Sequence, residues 1–262
     1  MLTEKQLQEQ MQVIMDFLRL VHPSLERTEG YRPAVELRPV PRGLEKNGKE
    51  TFPLTWSLNL WALDEKGQDR LRGFLARHNG QQTCLFYSIF TWKQPADSET
   101  RVSHISAKSA VFTEEIALDF DHVDEAGYQD LVRRFDAIGL DAIWVASGHG
   151  YQAHILLDKP VYDKDILATC VDMFRQQGFD CDAHCIDPAR VMRLPGTYNN
   201  KCFADDTLAG ERENPPLCQV VSWTSVRYSI DGVLSRLTGA GQQTVMAGFD
   251  GAPAQRKKPA KP

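Results

Sequence analysis

The sequence predicts an α/β protein, because amphipathic helical patterns alternate along it with short apolar runs of strand type, and turn residues separate the two. Its 262 residues, 42% of them hydrophobic, are enough to bury a large core. The first helix is read over Thr3 to Val21, where Leu7, Met11, Ile14, Met15, Leu18 and Val21 recur at helical spacing. Pro23 ends it. Tyr31 to Asn47 carries three prolines and many charges, the composition of a turn and edge-strand region more than of a buried element. Thr55 to Leu63 reads as a strand and Asp64-Glu65-Lys66-Gly67 as a turn. Gln68 to His78 reads as a helix closed by Asn79-Gly80.

A strand over Thr83 to Trp92 leads into a polar loop, Lys93 to Thr100. Ile116 to Phe120 is the next strand. Asp124 to Ile138 is an amphipathic helix with Ala126, Leu131, Val132 and Phe135 facing inward. Ile143 to Ala146 and Gln152 to Leu157 are strands on either side of Ser147-Gly148-His149-Gly150-Tyr151. Lys164 to Gln177 is a helix capped by Gly178. Val220 to Trp223 reads as a last strand and Ser229 to Leu237 as a short helix. From Gly239 the chain turns to Gly, Ala, Gln and Pro and reads as a disordered tail or linker.

Several function classes are excluded or weakened by composition. No stretch approaches the roughly 20 apolar residues of a membrane span, and MLTEKQLQEQ lacks the order of a signal peptide, so a cytoplasmic location is expected. Six scattered cysteines read as reduced thiols without disulfides. A net charge of −5 argues against coating nucleic acid by bulk electrostatics but leaves room for a local basic track. Arg32, Arg38, Arg42, Lys46 and Lys49 form one such group, for which a solvated loop is the plainer reading. Arg190, Arg193 and Lys201 form another.

Three segments carry chemistry. In Ile116-Ala117-Leu118-Asp119-Phe120-Asp121, the strand period places two carboxylates on one face, where both can grip the same divalent ions. Solvated acids at a strand-to-turn junction are the alternative. Ser147-Gly148-His149-Gly150-Tyr151-Gln152-Ala153-His154 opens with a glycine-flexed turn of the kind that lets backbone N–H groups approach an anion. It continues as a strand with Gln152 and His154 on one face. A hydrogen-bonded, partly buried His154 is the alternative to a phosphate-binding one. The third segment, Asp180 to Lys201, supplies a further carboxylate from Asp180, Asp182 or Asp187. Guanidinium groups suited to bidentate phosphate binding follow, at Arg190 and Arg193, and then a Pro195-Gly196 turn.

The strings ALDFDH, SGHGYQAHILL and DAHCIDPARVMRLPGTYNNK, in that order, resemble the motifs of the archaeo-eukaryotic primase superfamily, especially the primase-polymerases of plasmids, phages and mobile elements. The resemblance covers about residues 83 to 201. It implies an RRM-like catalytic core at 83–238, with a mixed, largely antiparallel sheet. A smaller N-terminal α/β lobe at 1–82 would precede it, and a tail at 239–262 follow it.

The resemblance further implies two Mg²⁺ or Mn²⁺ ions on Asp119, Asp121 and Asp182, with Asp182 preferred because it lies eight residues before Arg190. It gives His154 a contact to the incoming triphosphate. Ser147, His149, Gln152, Arg190, Arg193 and Lys201 would bind the nucleotide. Many relatives have Ser-x-His or a His after Gly-x-Gly-aromatic where this chain has Gln152, so a Gln152-plus-His149 arrangement stays open beside His154.

The implied activity is that of a monomeric DNA primase-polymerase joining NTPs or dNTPs on a single-stranded DNA template, with a replicative helicase among possible partners. A two-metal nuclease and a catalytically degenerate single-stranded DNA-binding replication protein are the rivals. Cys181, His184, Cys185 and Cys202 lack paired C-x-x-C arms, so structural zinc is not expected. Arg256, Lys257, Lys258 and Lys261 read as a solubilising end before contacts to nucleic acid.

Overall fold

The computed structural model describes residues 3–26, 33–43, 45–46, 49–50, 57–79, 82–92 and 106–239. The expected loop at Lys93 to Thr100 and the tail beyond Gly239 lie outside these residues.

Helix α1, Glu4–Val21, starts in a capping box. The Thr3 hydroxyl accepts from the Gln6 N–H at 3.2 Å while the Gln6 side chain accepts from the Thr3 N–H at 2.9 Å. Strand β1 is Val35–Pro41. The short strands β2, Glu45–Lys46, and β3, Lys49–Glu50, pair with each other. Strand β4, Leu58–Leu60, precedes α2, Glu65–His78, which Asp64 caps through the Gly67 N–H. Then come β5, Thr83–Ser88, and β6, Thr113–Asp121. Helix α3, Glu125–Ala137, leads to β7, Ile143–Ala146, and β8, Gly150–Val161. The chain closes with α4, Lys164–Gln176, β9, Val191–Arg193, β10, Gln219–Ser222, β11, Arg227–Tyr228, and α5, Ile230–Leu237.

The strands form two principal sheets. The first runs β4-β1-β5-β9 and is antiparallel throughout. The second runs β10-β7-β8, with β6 antiparallel on the far side of β8. Beyond the reach of β7, β11 joins β8 in parallel, so this sheet is mixed and largely antiparallel.

Burial follows strand parity. Phe120 and Trp144 point to one face of the second sheet, where Phe135 of α3 packs on Trp144, Phe174 and Phe179. The other face carries Asp119, Asp121, Gln152 and His154, and its deeper part is covered by Phe17 of α1. Phe17 is fully buried, and truncating such a side chain costs about 3–5 kcal/mol.

Two expectations change. The proline-rich stretch is no edge: β1 is paired on both sides over part of its length and its first residues are buried. Pro39 and Pro41 are tolerated because the backbone N–H groups that face β5 belong to the alternate residues, as the Arg42 N–H bond to the Gln82 carbonyl shows. The described pairing with β4 ends at Leu37, before either proline. Nor is Arg38 merely solvated, because its guanidinium forks onto the fully buried Glu36 carboxylate with two contacts of 2.8 Å.

The boundary expected at 82/83 falls between β1 and β5, which pair directly. The first sheet also recruits β9 from far along the chain. Among the described residues no helix is long and apolar enough to cross a membrane.

Candidate active site

Phe120, packed against Trp144, fixes the parity of β6 and turns Asp119 and Asp121 together to the opposite face. Opposite them on β8 stand Gln152, facing Asp119, and Gly150, facing Asp121. The Gln152 amide donates to Asp119 Oδ1 at 3.3 Å. Gly150 is sterically required: a Cβ there would lie 2.2 Å from the Phe120 carbonyl oxygen. Just past the acid pair, His122 adopts φ 59°, unusual for a residue with a side chain, and its N–H is held by the His149 carbonyl at 2.9 Å. The β6 terminus and the β7–β8 turn are thereby locked together.

The third acid arrives through the backbone. The Asp182 N–H donates to the Asp119 carbonyl at 2.8 Å. Its carboxylate accepts from the His184 N–H at 2.9 Å and from Arg190 at 2.5 Å. The same Arg190 nitrogen reaches Asp119 Oδ2 at 3.3 Å. Of the two competing acids, Asp187 caps a turn at the Ala189 N–H, and Asp180 lines a separate pocket with Arg175 and Phe179.

Asp119 and Asp121 line a cleft of about 320 Å³ together with Phe86, Ser147, Gln152, Arg190, Val191 and Arg193, and Asp182 stands behind Arg190 outside that lining. The acids and amide of the lining belong to the second sheet and adjoining turn. Phe86, Val191 and Arg193 belong to the first sheet, with Arg190 just ahead of β9. The Arg193 guanidinium lies 5.0 Å from the centre of the Phe86 ring.

Burial and the neighbouring Asp121 charge raise the pKa of Asp119, against the pull of Arg190, Gln152 and Arg193. Asp182 goes the other way: burial opposes its charge, but the His184 N–H and Arg190 together outweigh it and lower its pKa. Burial outweighs the two arginines at Asp119 and is outweighed at Asp182.

The remaining sequence candidates divide. Ser147 lines the cleft. His149 sits behind the turn, its ring bonded to Glu211 at 2.9 Å and to the Asn199 amide at 3.0 Å. Lys201 lies on a short 3-10 helix, Asn200–Phe203, and does not line the cleft.

His154 is not brought to the cleft. It shares the face of Gln152 but stands one pair deeper, opposite Ala117, fully buried against Phe17. Its Nδ1 lies 2.9 Å from the Glu115 carboxylate and 3.0 Å from the Tyr87 hydroxyl, which itself donates to Glu115 at 2.8 Å. The position beside the acids belongs to Gln152, whose Oε1 is buried and meets no hydrogen-bond donor among the described residues.

Sequence reading missed Phe86 and Asn199. Strand alternation on β5 was the available signal for the first. Asn199 braces the glycine turn, donating to the Ser147 carbonyl at 2.8 Å, and an asparagine soon after Pro-Gly was its only trace.

Asp119 and Asp121 offer the oxygen ligands and negative charge that suit a hard divalent cation. Among the described residues no three His, Cys, Asp or Glu side chains already converge in a metal-holding group. All six cysteines are free and buried. Burial pushes Cys185 up to about 12 and Cys181 up to about 11, so both stay protonated at neutral pH.

No protein-family model and no curated protein sequence matches the chain. Solved structures do. The AEP domain of the cyanophage S-2L primase-polymerase matches 86% of this chain and 97% of its own, with a TM-score of 0.53 and 15% identity. The catalytic domain of primase RepB′, solved in complex with initiator DNA, matches 91% of this chain and 96% of its own, at TM-score 0.51 and 16% identity. Against a longer RepB′ primase the chain spans 64% of the length, again at TM-score 0.51. The two-sheet α/β architecture of this chain is therefore the fold seen in these primase and primase-polymerase catalytic domains.

Proposed function

We propose that the protein is a metal-dependent nucleotidyl transferase, a DNA primase-polymerase that joins NTPs or dNTPs on a single-stranded DNA template. The observation that carries this reading is the cleft itself. Asp119 and Asp121 face Arg190 and Arg193 across one opening, with Asp182 tied to the Asp119 backbone. Carboxylates on one wall and guanidinium groups on the other suit a substrate that is both metal-chelated and polyanionic, as a nucleoside triphosphate is. The likeness to primase domains supports the same assignment.

Asp119, Asp121 and Asp182 would hold Mg²⁺ or Mn²⁺, which when bound supplies charge neutralisation for phosphoryl transfer and activation of the attacking hydroxyl. The chain's own residues do the positioning. Arg193, held over Phe86, presents a fixed positive charge to the phosphates. Gln152 steadies Asp119 through its amide. The locked turn at Ser147 to Gly150 keeps that wall of the cleft rigid.

One feature favours a second reading, a degenerate fold that binds single-stranded DNA without synthesis. Gln152, and not His154, lines the cleft beside the acids, and an amide cannot carry a positive charge. Incubation with single-stranded template, labelled nucleotide and Mg²⁺ or Mn²⁺, with and without primer, separates the two. The proposal expects extended product that disappears in Asp119→Ala/Asp121→Ala while DNA binding survives. DNA binding with no product from the wild-type protein under any condition establishes the second reading instead.

A further inference from the structure

Arg190 places one terminal guanidinium nitrogen between two carboxylates from different segments, 2.5 Å from Asp182 and 3.3 Å from Asp119. Among the described residues no other cation bonds to either acid. Nη2 makes both contacts, and neither Nε nor Nη1 makes a hydrogen bond among the described residues. The backbone is firmly placed, since the Arg190 N–H donates to the Asp187 carbonyl at 2.8 Å and β9 begins at the next residue. The guanidinium end is partly exposed and borders the cleft. A rooted arginine of this kind can swing its tip without disturbing its anchor.

Resting on the metal-dependent reading above, we infer that Arg190 is a placeholder for the divalent cation. It neutralises Asp119 and Asp182 while the site holds no ion, and it must leave them before an ion can load. The guanidinium nitrogen fills the space between the two carboxylates, 2.5 Å from Asp182 and 3.3 Å from Asp119, where an ion held by both would sit, and two positive charges at that distance repel, so the two occupants exclude each other. Arg190 is in this sense a positioning residue that competes with the cation. Charge repulsion alone would be the same for lysine as for arginine, whereas displacement of a placeholder depends on the fork that lodges it between the two acids, so the lysine variant separates the two.

The test is a titration of the full chain with Mn²⁺ alone, without nucleotide or DNA, reading free Mn²⁺ by its electron paramagnetic resonance signal. Arg190→Gln is expected to bind Mn²⁺ about tenfold more tightly than wild type, within the usual range of coupling between competing occupants. Arg190→Lys, which keeps the charge but loses the planar fork, should shift in the same direction by less. It decides the matter if Arg190→Gln does not fold.

Unchanged or weaker Mn²⁺ binding in the Arg190 variants, with binding weakened in Asp119→Asn, overturns the placeholder and leaves the metal-dependent reading intact. If Asp119→Asn binds Mn²⁺ as wild type does, the cation site itself is refuted and the placeholder with it.

Discussion

Replacing Gly150 with alanine tests how tightly the acid pair is held. The new methyl would lie 2.2 Å from the Phe120 carbonyl oxygen, 3.1 Å from the Asp121 Cα and 3.2 Å from the His122 N, all backbone atoms that cannot rotate away. The β6–β8 seam must open until the closest of these contacts exceeds 3.0 Å, and the part that moves carries Asp121. Overpacking of this size costs about 1–3 kcal/mol, partly offset by about 0.4–1 kcal/mol from the stiffer unfolded chain. A net loss of about 1–2 kcal/mol is expected in urea unfolding. Displacing a catalytic group by about 1 Å costs about 100-fold in rate, so primer extension should fall far more than stability does. Gly73→Ala is the matched control: nothing lies within 4 Å of its added methyl, and in the middle of α2 it should add about 1 kcal/mol and leave extension unchanged. A Gly150→Ala protein with wild-type urea midpoint and wild-type extension would refute the claim that this close approach sets the position of Asp121.

Three further outcomes follow from the same geometry. Tyr87→Phe removes the hydroxyl shared by Glu115 and His154 and should cost about 1–3 kcal/mol in urea unfolding, with the KM for nucleotide unchanged because none of the three lines the cleft. Burial holds the pKa of His22 below its ordinary 6.5 even though Glu115 and Glu114 favour its charge. The unfolded chain therefore takes up a proton that the folded one resists. Stability is complete above about pH 6.5 and declines below it by up to about 1.4 kcal/mol per pH unit, a slope that His22→Gln should flatten in unfolding curves taken between about pH 7.5 and about 5.5. Arg193→Ala should raise the KM for nucleotide by about 10- to 100-fold in steady-state extension assays, the worth of one charged hydrogen bond to phosphate.

Much of this architecture was legible because it is local. Strand parity put Asp119 and Asp121 on one face, and Asp182 owes its place to a segment whose order in the chain could be read directly. The helices over Glu4–Val21, Glu125–Ala137 and Lys164–Gln176 announced themselves by apolar spacing, and the structure adds N-terminal caps at Thr3, Asp124 and Asp163. What stayed hidden was non-local. Parity gives Gln152 and His154 the same face, but only the crossing of α1, which brings Phe17 over His154, decides which of them meets the cleft. The prolines of β1 signalled an edge, because sequence cannot show on which side a missing N–H will fall. The pairing of β5 with β9, more than a hundred residues apart, has no local signature either.

The division of the cleft between two sheets gives any occupant a mechanical role. Acids on one sheet and a guanidinium on the other mean that a polyanion chelating a cation would grip both walls at once, as a reversible crosslink. By mass action, ligand at about 100 times its dissociation constant adds about 2.7 kcal/mol to folding. That gain would be felt most where β9 meets β5, a junction of three residue pairs beside which Arg193 lies over Phe86 and Arg190 reaches Asp119 of the other sheet.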